Sequence, residues 1–360
     1  LMPQGAARTH ETNKLLNMKI LVTGGAGYIG SHTVVELQKQ GHEVVIVDNL
    51  SNSSIAVLDN IETISGIRPQ FEQFDLVDQA LTADFFARHN NINGIIHFAA
   101  FKAVGESVEK PLLYYRNNLQ SLMNIIDGMK SNAIPYLVFS SSCTVYGQPD
   151  ELPVRETSPI KEAFSPYGNT KQISEEIIRE SVAAYPGIEA IALRYFNPIG
   201  AHESALIGEL PLGIPNNLMP FITQTAIGLR EELRVFGSDY NTPDGTAIRD
   251  YIHVVDLALA HVVAVDRLIG KKTKAPFEVF NLGTGNGLSV LQVINSFEHT
   301  TGQKLKYRLV DRRPGDAEQV WADTTFANNE LGWKAQKTVD EMTLSAWKWE
   351  LALAEKKQNQ

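Results

Sequence analysis

Short apolar runs alternate with longer stretches of helical rhythm through the first half of the chain. The runs fall at 19–23, 43–47, 94–100 and 136–140, with a more mixed one at 71–76. Amphipathic stretches separate them, one reaching Gln40 and another covering 117–130. A strand-sized run has too few residues for a helix, and apolar positions at three- and four-residue intervals mark one helix face. Strands that are apolar on both faces and separated by helices predict a parallel, doubly wound α/β sheet covered on both sides. In such sheets ligands gather beyond the carboxyl ends of the strands. Residues 98–102 and 140–142 fall there.

Past residue 197 the pattern changes. Loops lengthen and gain Pro, Gly and Asn, as over 208–217, before Leu218 opens a helix. The chain therefore divides into a Rossmann-like domain over 18–196 and a smaller α/β C-terminal lobe for substrate over 197–350. Within that lobe, 251–255 and 280–282 are segments able to return to the first domain. Residues 1–17 are polar and aperiodic, and read as a disordered or added extension ahead of the fold, which starts at Met18.

Charge and cysteine content narrow the class. A net charge of −9 argues against nucleic acid or an anionic membrane as partner. The one cysteine, Cys143, leaves no internal disulfide and fits a reducing, cytoplasmic setting. No apolar run has the length to cross a bilayer, and the nine histidines lack metal-ligand spacing.

The first strand leads into Gly24-Gly-Ala-Gly27-Tyr-Ile-Gly30 and then a helix, the order of a dinucleotide-binding unit. Small residues admit the pyrophosphate backbone, whose charge the helix N-terminus stabilises. The second run ends in Asp48-Asn49, an acid placed to accept from the adenosine ribose hydroxyls. A 2′-phosphate there would meet like charge, so NAD is expected over NADP. Asp75, closing the third strand, is placed to meet the adenine.

Ser165-Pro166-Tyr167 opens a further helix, with Lys171 four residues on. Positions i and i+4 share a face, so the ammonium is expected beside the phenol, lowering its pKa from about 10. The spacing alone recurs in many helices. Ser142, at a strand end 25 residues earlier, completes what alcohol oxidation on a nicotinamide requires. Tyrosine exchanges the hydroxyl proton, serine holds the substrate oxygen, and lysine tunes tyrosine.

These residues resemble the extended short-chain dehydrogenase/reductase superfamily and, within it, the UDP-glucose 4-epimerase family, from about Met18 to Trp347. The glycine segment 22–32, Phe139-Ser-Ser-Ser142 and Ser165-Pro-Tyr-Gly168 carry the superfamily pattern. Leu193-Arg-Tyr-Phe-Asn197, 213–220, Asp244-Gly-Thr246, 249–254 and Asn281-Leu-Gly283 are closer to the epimerases. The resemblance implies reversible C4 epimerisation of UDP-glucose and UDP-galactose through a 4-ketosugar, with tightly held NAD and a homodimer. It adds Tyr28, Ile29, Leu76, Phe98, Ala99, Ala100, Lys102, Asn117, Ser140 and Phe196 to the cofactor site. For the UDP-sugar it implies Arg249 and Arg313 as phosphate forks and Asp316 at the uridine ribose. Asn217 and Leu218 would supply a helix start, Asn197 a sugar contact, and Arg234-Val235-Phe236 the uracil-facing strand.

One position bears on the sugar. Family members restricted to glucose and galactose carry a bulky tyrosine four residues beyond the acid equivalent to Asp316. Val320 stands there, which implies room for a 2-acetamido group and activity on UDP-GlcNAc and UDP-GalNAc. Nucleotide-sugar 4,6-dehydratases share fold, NAD and Tyr-x-x-x-Lys, but carry acid after the catalytic hydroxyl, where this chain has Cys143-Thr144-Val145. UDP-glucuronate-handling relatives remain open, without a basic residue assigned to a sugar carboxylate. A non-catalytic NAD sensor would keep the glycine turn without needing Ser142, Tyr167 and Lys171 together.

Overall fold

A computed structural model describes residues 17–313 and 317–358. The alternation of runs becomes β1 (Lys19–Thr23), α1 (Tyr28–Lys39), β2 (Glu43–Asp48), α2 (Val57–Ser65), β3 (Gln70–Gln73), α3 (Gln79–Arg88) and β4 (Gly94–His97). Next come α4 (Val104–Glu109), α5 (Pro111–Ser131), β5 (Tyr136–Ser142), α6 (Pro166–Ala184) and β6 (Glu189–Tyr195). Helix α5 starts six residues before the expected 117, because Pro111 supplies a preset φ at its first turn.

The remainder holds β7 (Asn197–Ile199), α7 (Leu218–Ala226), β8 (Leu233–Phe236), β9 (Ile248–His253), α8 (Val254–Ile269) and β10 (Phe277–Leu282). It ends with β11 (Gly287–Ser289), α9 (Val290–Thr301), β12 (Tyr307–Val310), β13 (Gln319–Val320) and α10 (Val339–Gln358). No helix among the described residues is long and apolar enough to cross a membrane.

Among the described residues, seven strands form one sheet in the order β10-β6-β5-β4-β1-β2-β3, every neighbouring pair parallel. Side chains alternate between its faces along each strand. Ile20, Val22, Ile46, Ile96, Val138 and Leu193 pack under α1, α2 and α8. Leu21, Val45, Ile95, Leu137, Phe139 and Ala192 pack under α3, α5 and α6. This two-sided burial is why the strands read as unbroken apolar runs.

The return to the first sheet is longer than 251–255 and 280–282. Strand β9 stays in a second sheet with β11, β13 and β7. From Val254 onward the chain comes back, with α8 covering one face of the seven-stranded sheet and β10 pairing with β6 at its edge. A third apolar cluster joins β7, α7, β8, α9 and α10 through Ile222, Val235, Phe297 and Trp347. Strands β8 and β12 pair apart from both sheets.

Candidate active site

The glycine turn runs over the top of β1, where Gly24 has φ +68 and its amide donates to the Val47 carbonyl at 2.8 Å. A Cβ on Gly24 would lie 2.8 Å from the Ala99 nitrogen, and one on Gly30 2.3 Å from the Gly24 carbonyl oxygen. Side chains there are excluded by backbone, so the turn can meet a ligand only through peptide groups. Gly27 caps α1 without a side-chain bond. Asp48 accepts from Ala26 N at 3.2 Å, and from Leu50 N and Ser53 Oγ at 2.9 Å. It is therefore held at the tip of β2. Asp75 lies two residues beyond β3, exposed, and accepts from Val77 N and from the Asn49 amide at 3.3 Å.

A cleft of about 410 Å³ collects these groups. Gly24, Gly27, Tyr28, Ile29, Gly30, Asp48, Asn49, Asp75 and Leu76 line one part. Phe98, Ala99, Ala100, Lys102, Asn117, Tyr167, Lys171 and Asn217 line another. A dinucleotide fits this donor set, since backbone amides, a helix N-terminus and a carboxylate at the second strand's tip occur along one groove. Sequence reading missed the groove's other wall, made by Glu209, Leu210, Trp349, Leu353 and Lys356. The last three come from α10, at the far end of the chain, and no local signal linked them to the glycine turn. Glu209 ties the walls together, accepting from Asn217 Nδ2 at 2.5 Å and lying 3.5 Å from the Lys102 ammonium. Tyr28 donates to the Gly200 carbonyl at 2.6 Å.

Pro166 starts α6 and Ser165 caps it, accepting from Gly168 N at 3.2 Å. Helical spacing then puts Tyr167 and Lys171 on one inward stripe, 7% and 4% exposed. Lys171 Nζ donates to the Ser140 carbonyl at 2.7 Å and lies 5.9 Å from the Tyr167 ring centroid. Ser142 is buried at the end of β5 and accepts from Thr144 N at 3.2 Å, opening a single 3-10 turn over Cys143–Tyr146.

The expected lowering of the Tyr167 pKa is corrected here. Burial pushes the phenol well above its ordinary value, and a hydrogen bond with Ser142 works in the opposite direction without cancelling it. Burial pushes the Lys171 ammonium down to about 8, against the attraction of Glu175. The ammonium is aimed at a backbone carbonyl, and desolvation of the phenolate outweighs it.

The predicted substrate residues separate. Arg234, Phe236 and Arg313 meet in a second, open cleft on β8 and β12, also lined by Arg308 and Arg312, with the Arg313 guanidinium 4.4 Å from the Phe236 ring. Val235 points the other way, into the apolar cluster. Arg249 on β9 is half-buried and donates to the Ile248 carbonyl at 2.8 Å. Asn197 lies in β7, Phe196 is buried beside it, and Leu218 begins α7. Asp316 lies outside the described residues. Val320 pairs with Arg249 and packs against Val145, Tyr146, Phe196 and, at the edge, Cys143. It lines neither cleft and is 8% exposed within that apolar cluster.

A doubly wound sheet with Ser at a strand end, Tyr and Lys on the helix that follows, and a glycine turn after the first strand is the arrangement of the extended short-chain dehydrogenase/reductases. The family model described as GDP-mannose 4,6 dehydratase matches residues 21–345. A UDP-glucose 4-epimerase of Haemophilus influenzae is 49% identical over 92% of this chain and 97% of its own. A UDP-glucose 4-epimerase structure from Stenotrophomonas maltophila, with bound NAD and formylated UDP-arabinopyranose, is 48% identical with a TM-score of 0.90. It covers 94% of this chain and 99% of that one. The Bifidobacterium longum enzyme, in complex with NAD+ and UDP, is 47% identical with a TM-score of 0.89, covering 93% and 98%. The chain belongs to the family that the GDP-mannose 4,6-dehydratase model describes and, within it, to the UDP-glucose 4-epimerases.

Proposed function

We propose that this chain interconverts UDP-glucose and UDP-galactose by oxidation and re-reduction at the sugar C4, with NAD retained throughout. The carrying observation is that Tyr167 and Lys171 line the same cleft as Gly24, Gly30 and Asp48. Gly24 to Gly30 would hold the pyrophosphate through backbone amides, Asp48 the adenosine ribose, and Lys171 the nicotinamide ribose. Bound NAD supplies the acceptor and donor of hydride at C4.

The chain's own part is proton handling. Tyr167 Oη takes the 4-hydroxyl proton, Ser142 Oγ holds the same oxygen, and Lys171 stabilises the phenolate. Burial raises the phenol, so the phenolate that accepts this proton depends on the Lys171 ammonium to offset its desolvation. The 4-ketosugar then presents its other face and recovers the proton from Tyr167. Arg249 and Arg313 would neutralise the diphosphate, with Arg234 and Phe236 toward the base and Asn197 toward the sugar. Dehydration lacks support, because the Cys143 thiol is pushed up to about 12 by burial and Thr144 is no acid. Neither removes a C5 proton.

The small Val320 side chain supports a second substrate pair, UDP-GlcNAc and UDP-GalNAc, since a 2-acetamido group needs the volume a tyrosine would occupy. The exposed Leu112, Leu113 and Met123 on α5 support a homodimer through that helix. Incubation of purified protein with each UDP-sugar, without added NAD, tests the reading. Equilibration of UDP-glucose with UDP-galactose is expected. Its absence with and without NAD sinks the epimerase assignment, and inertness toward UDP-GlcNAc at high enzyme removes the second pair.

A further inference from the structure

The Arg194 of Leu193-Arg-Tyr-Phe-Asn197 has no part in the chemistry described so far, yet it lies directly behind it. Tyr167, Lys171 and Glu175 recur every four residues along α6 and are all buried. They face three consecutive serines at the end of β5. The Ser140 carbonyl accepts from Lys171 at 2.7 Å, and Ser141 Oγ donates to Glu175 at 2.6 Å. Arg194, opposite Ser141 in the β5–β6 register, donates to both oxygens of the same carboxylate, from Nε at 2.9 Å and from Nη2 at 2.5 Å.

The network continues toward the sugar wall. Arg194 Nη1 donates to Tyr146 Oη at 3.0 Å, and Tyr146 donates to Asn281 Oδ1 at 2.6 Å. Asn281 Nδ2 donates to the Val154 carbonyl at 3.0 Å. Val154 is bound on both sides to the segment after Val320, donating to Trp321 O at 2.9 Å and accepting from Asp323 N at 2.7 Å. One chain of hydrogen bonds thus joins α6 to the segment after Val320.

Glu175 and Arg194 are 3% and 4% exposed. Apolar replacements of such buried pairs are often neutral or stabilising, so stability is a weak reason for the pair. We propose that Glu175 and Arg194 are positioning residues for the reaction, acting through Lys171 and Tyr167 by locking α6 to the end of β5 and keeping the Lys171 ammonium charged. This rests on the epimerase reading above. The titratable groups beside Lys171 are Tyr167 and Glu175 on its own helix and His97 on β4, with Arg194 and Tyr195 of β6 bonded to Glu175 and Ser140. Burial pushes His97 down to about 3, so it stays neutral in the working range, and burial raises Tyr195. Glu175 supplies the attraction that opposes burial and holds the Lys171 proton.

Three variants test this, each assayed for kcat and KM from pH 6 to 9.5. E175Q, and E175Q/R194M, which removes both members of the ion pair together, should lose the Lys171 proton at lower pH. The alkaline limb of kcat should move down by at least one unit from about 8, with KM for UDP-glucose changed less than threefold and NAD retained. S141A keeps the ion pair and should lower kcat at least threefold at unchanged KM. An equal loss of kcat at every pH, or kcat unchanged in S141A, overturns the proposal. Wild-type protein that epimerises nothing removes the parent reading instead, and the two failures are distinguishable.

Discussion

The corner formed by β5 and α6 and the cleft formed by β8 and β12 solve different problems with different physics. At the first, Ser142, Tyr167 and Lys171 are buried and each has a partner on the neighbouring element. At the second, Arg234, Arg312 and Arg313 are exposed, and Arg312 is paired with Asp239 at 2.7 Å. Proton transfer fails when distances drift, so its groups are fixed by a seven-stranded sheet and stripped of water. On the proposed reading, charge attraction to a diphosphate falls off gently with distance, so exposed guanidinium groups beside a two-stranded ribbon would suffice. Rigidity is concentrated where the reaction coordinate is short.

That contrast can be broken from either side. The largest effect is expected for Tyr167→Phe, which keeps the buried ring and deletes the proton carrier. Turnover should fall about 10²–10⁴-fold while NAD remains bound, as read by cofactor released on denaturation. Undiminished turnover would mean that the buried corner is structural. Arg313→Ala should instead raise KM for UDP-glucose about 10–100-fold with kcat nearly constant, the loss of one hydrogen-bonding charge. A fall in kcat of the same size would show that the open cleft also sets the reaction geometry. Smallest is Val320→Tyr. UDP-glucose turnover should change by less than about threefold, while any UDP-GlcNAc turnover falls more than about tenfold. Equal effects on both sugars would relocate the sugar wall.

The same contrast governs what could be read from the sequence. The glycine turn is local, since Gly24, Gly27 and Gly30 lie between a strand and a helix that are contiguous in the chain. Tyr167 and Lys171 are likewise legible through helical spacing, as Glu175 would have been one turn further on. Its partner Arg194 comes from the next strand, and the pairing follows only from the β5–β6 register. The direction of the Tyr167 shift was misjudged for a related reason. Spacing gave the neighbour, but the burial of the phenol depends on the whole sheet and outweighs that neighbour. The return of α8 and β10 was legible only in part, at 251–255 and 280–282, because an apolar run does not name the strand it pairs with.

The pairing of β10 with β6 has a consequence for how the molecule comes apart. The chain leaves the large sheet after Tyr195, builds the second sheet, and supplies α8 and the sheet's own edge only afterwards. A fragment ending near residue 196 would carry the glycine turn and the whole Ser-Tyr-Lys set, yet expose β6 as a raw edge and leave Val34, Val138 and Leu193 without α8 over them. The glycine-turn half is therefore not a detachable module, and the segment proposed to recognise the sugar nucleotide is threaded inside it. Loss of either is loss of both.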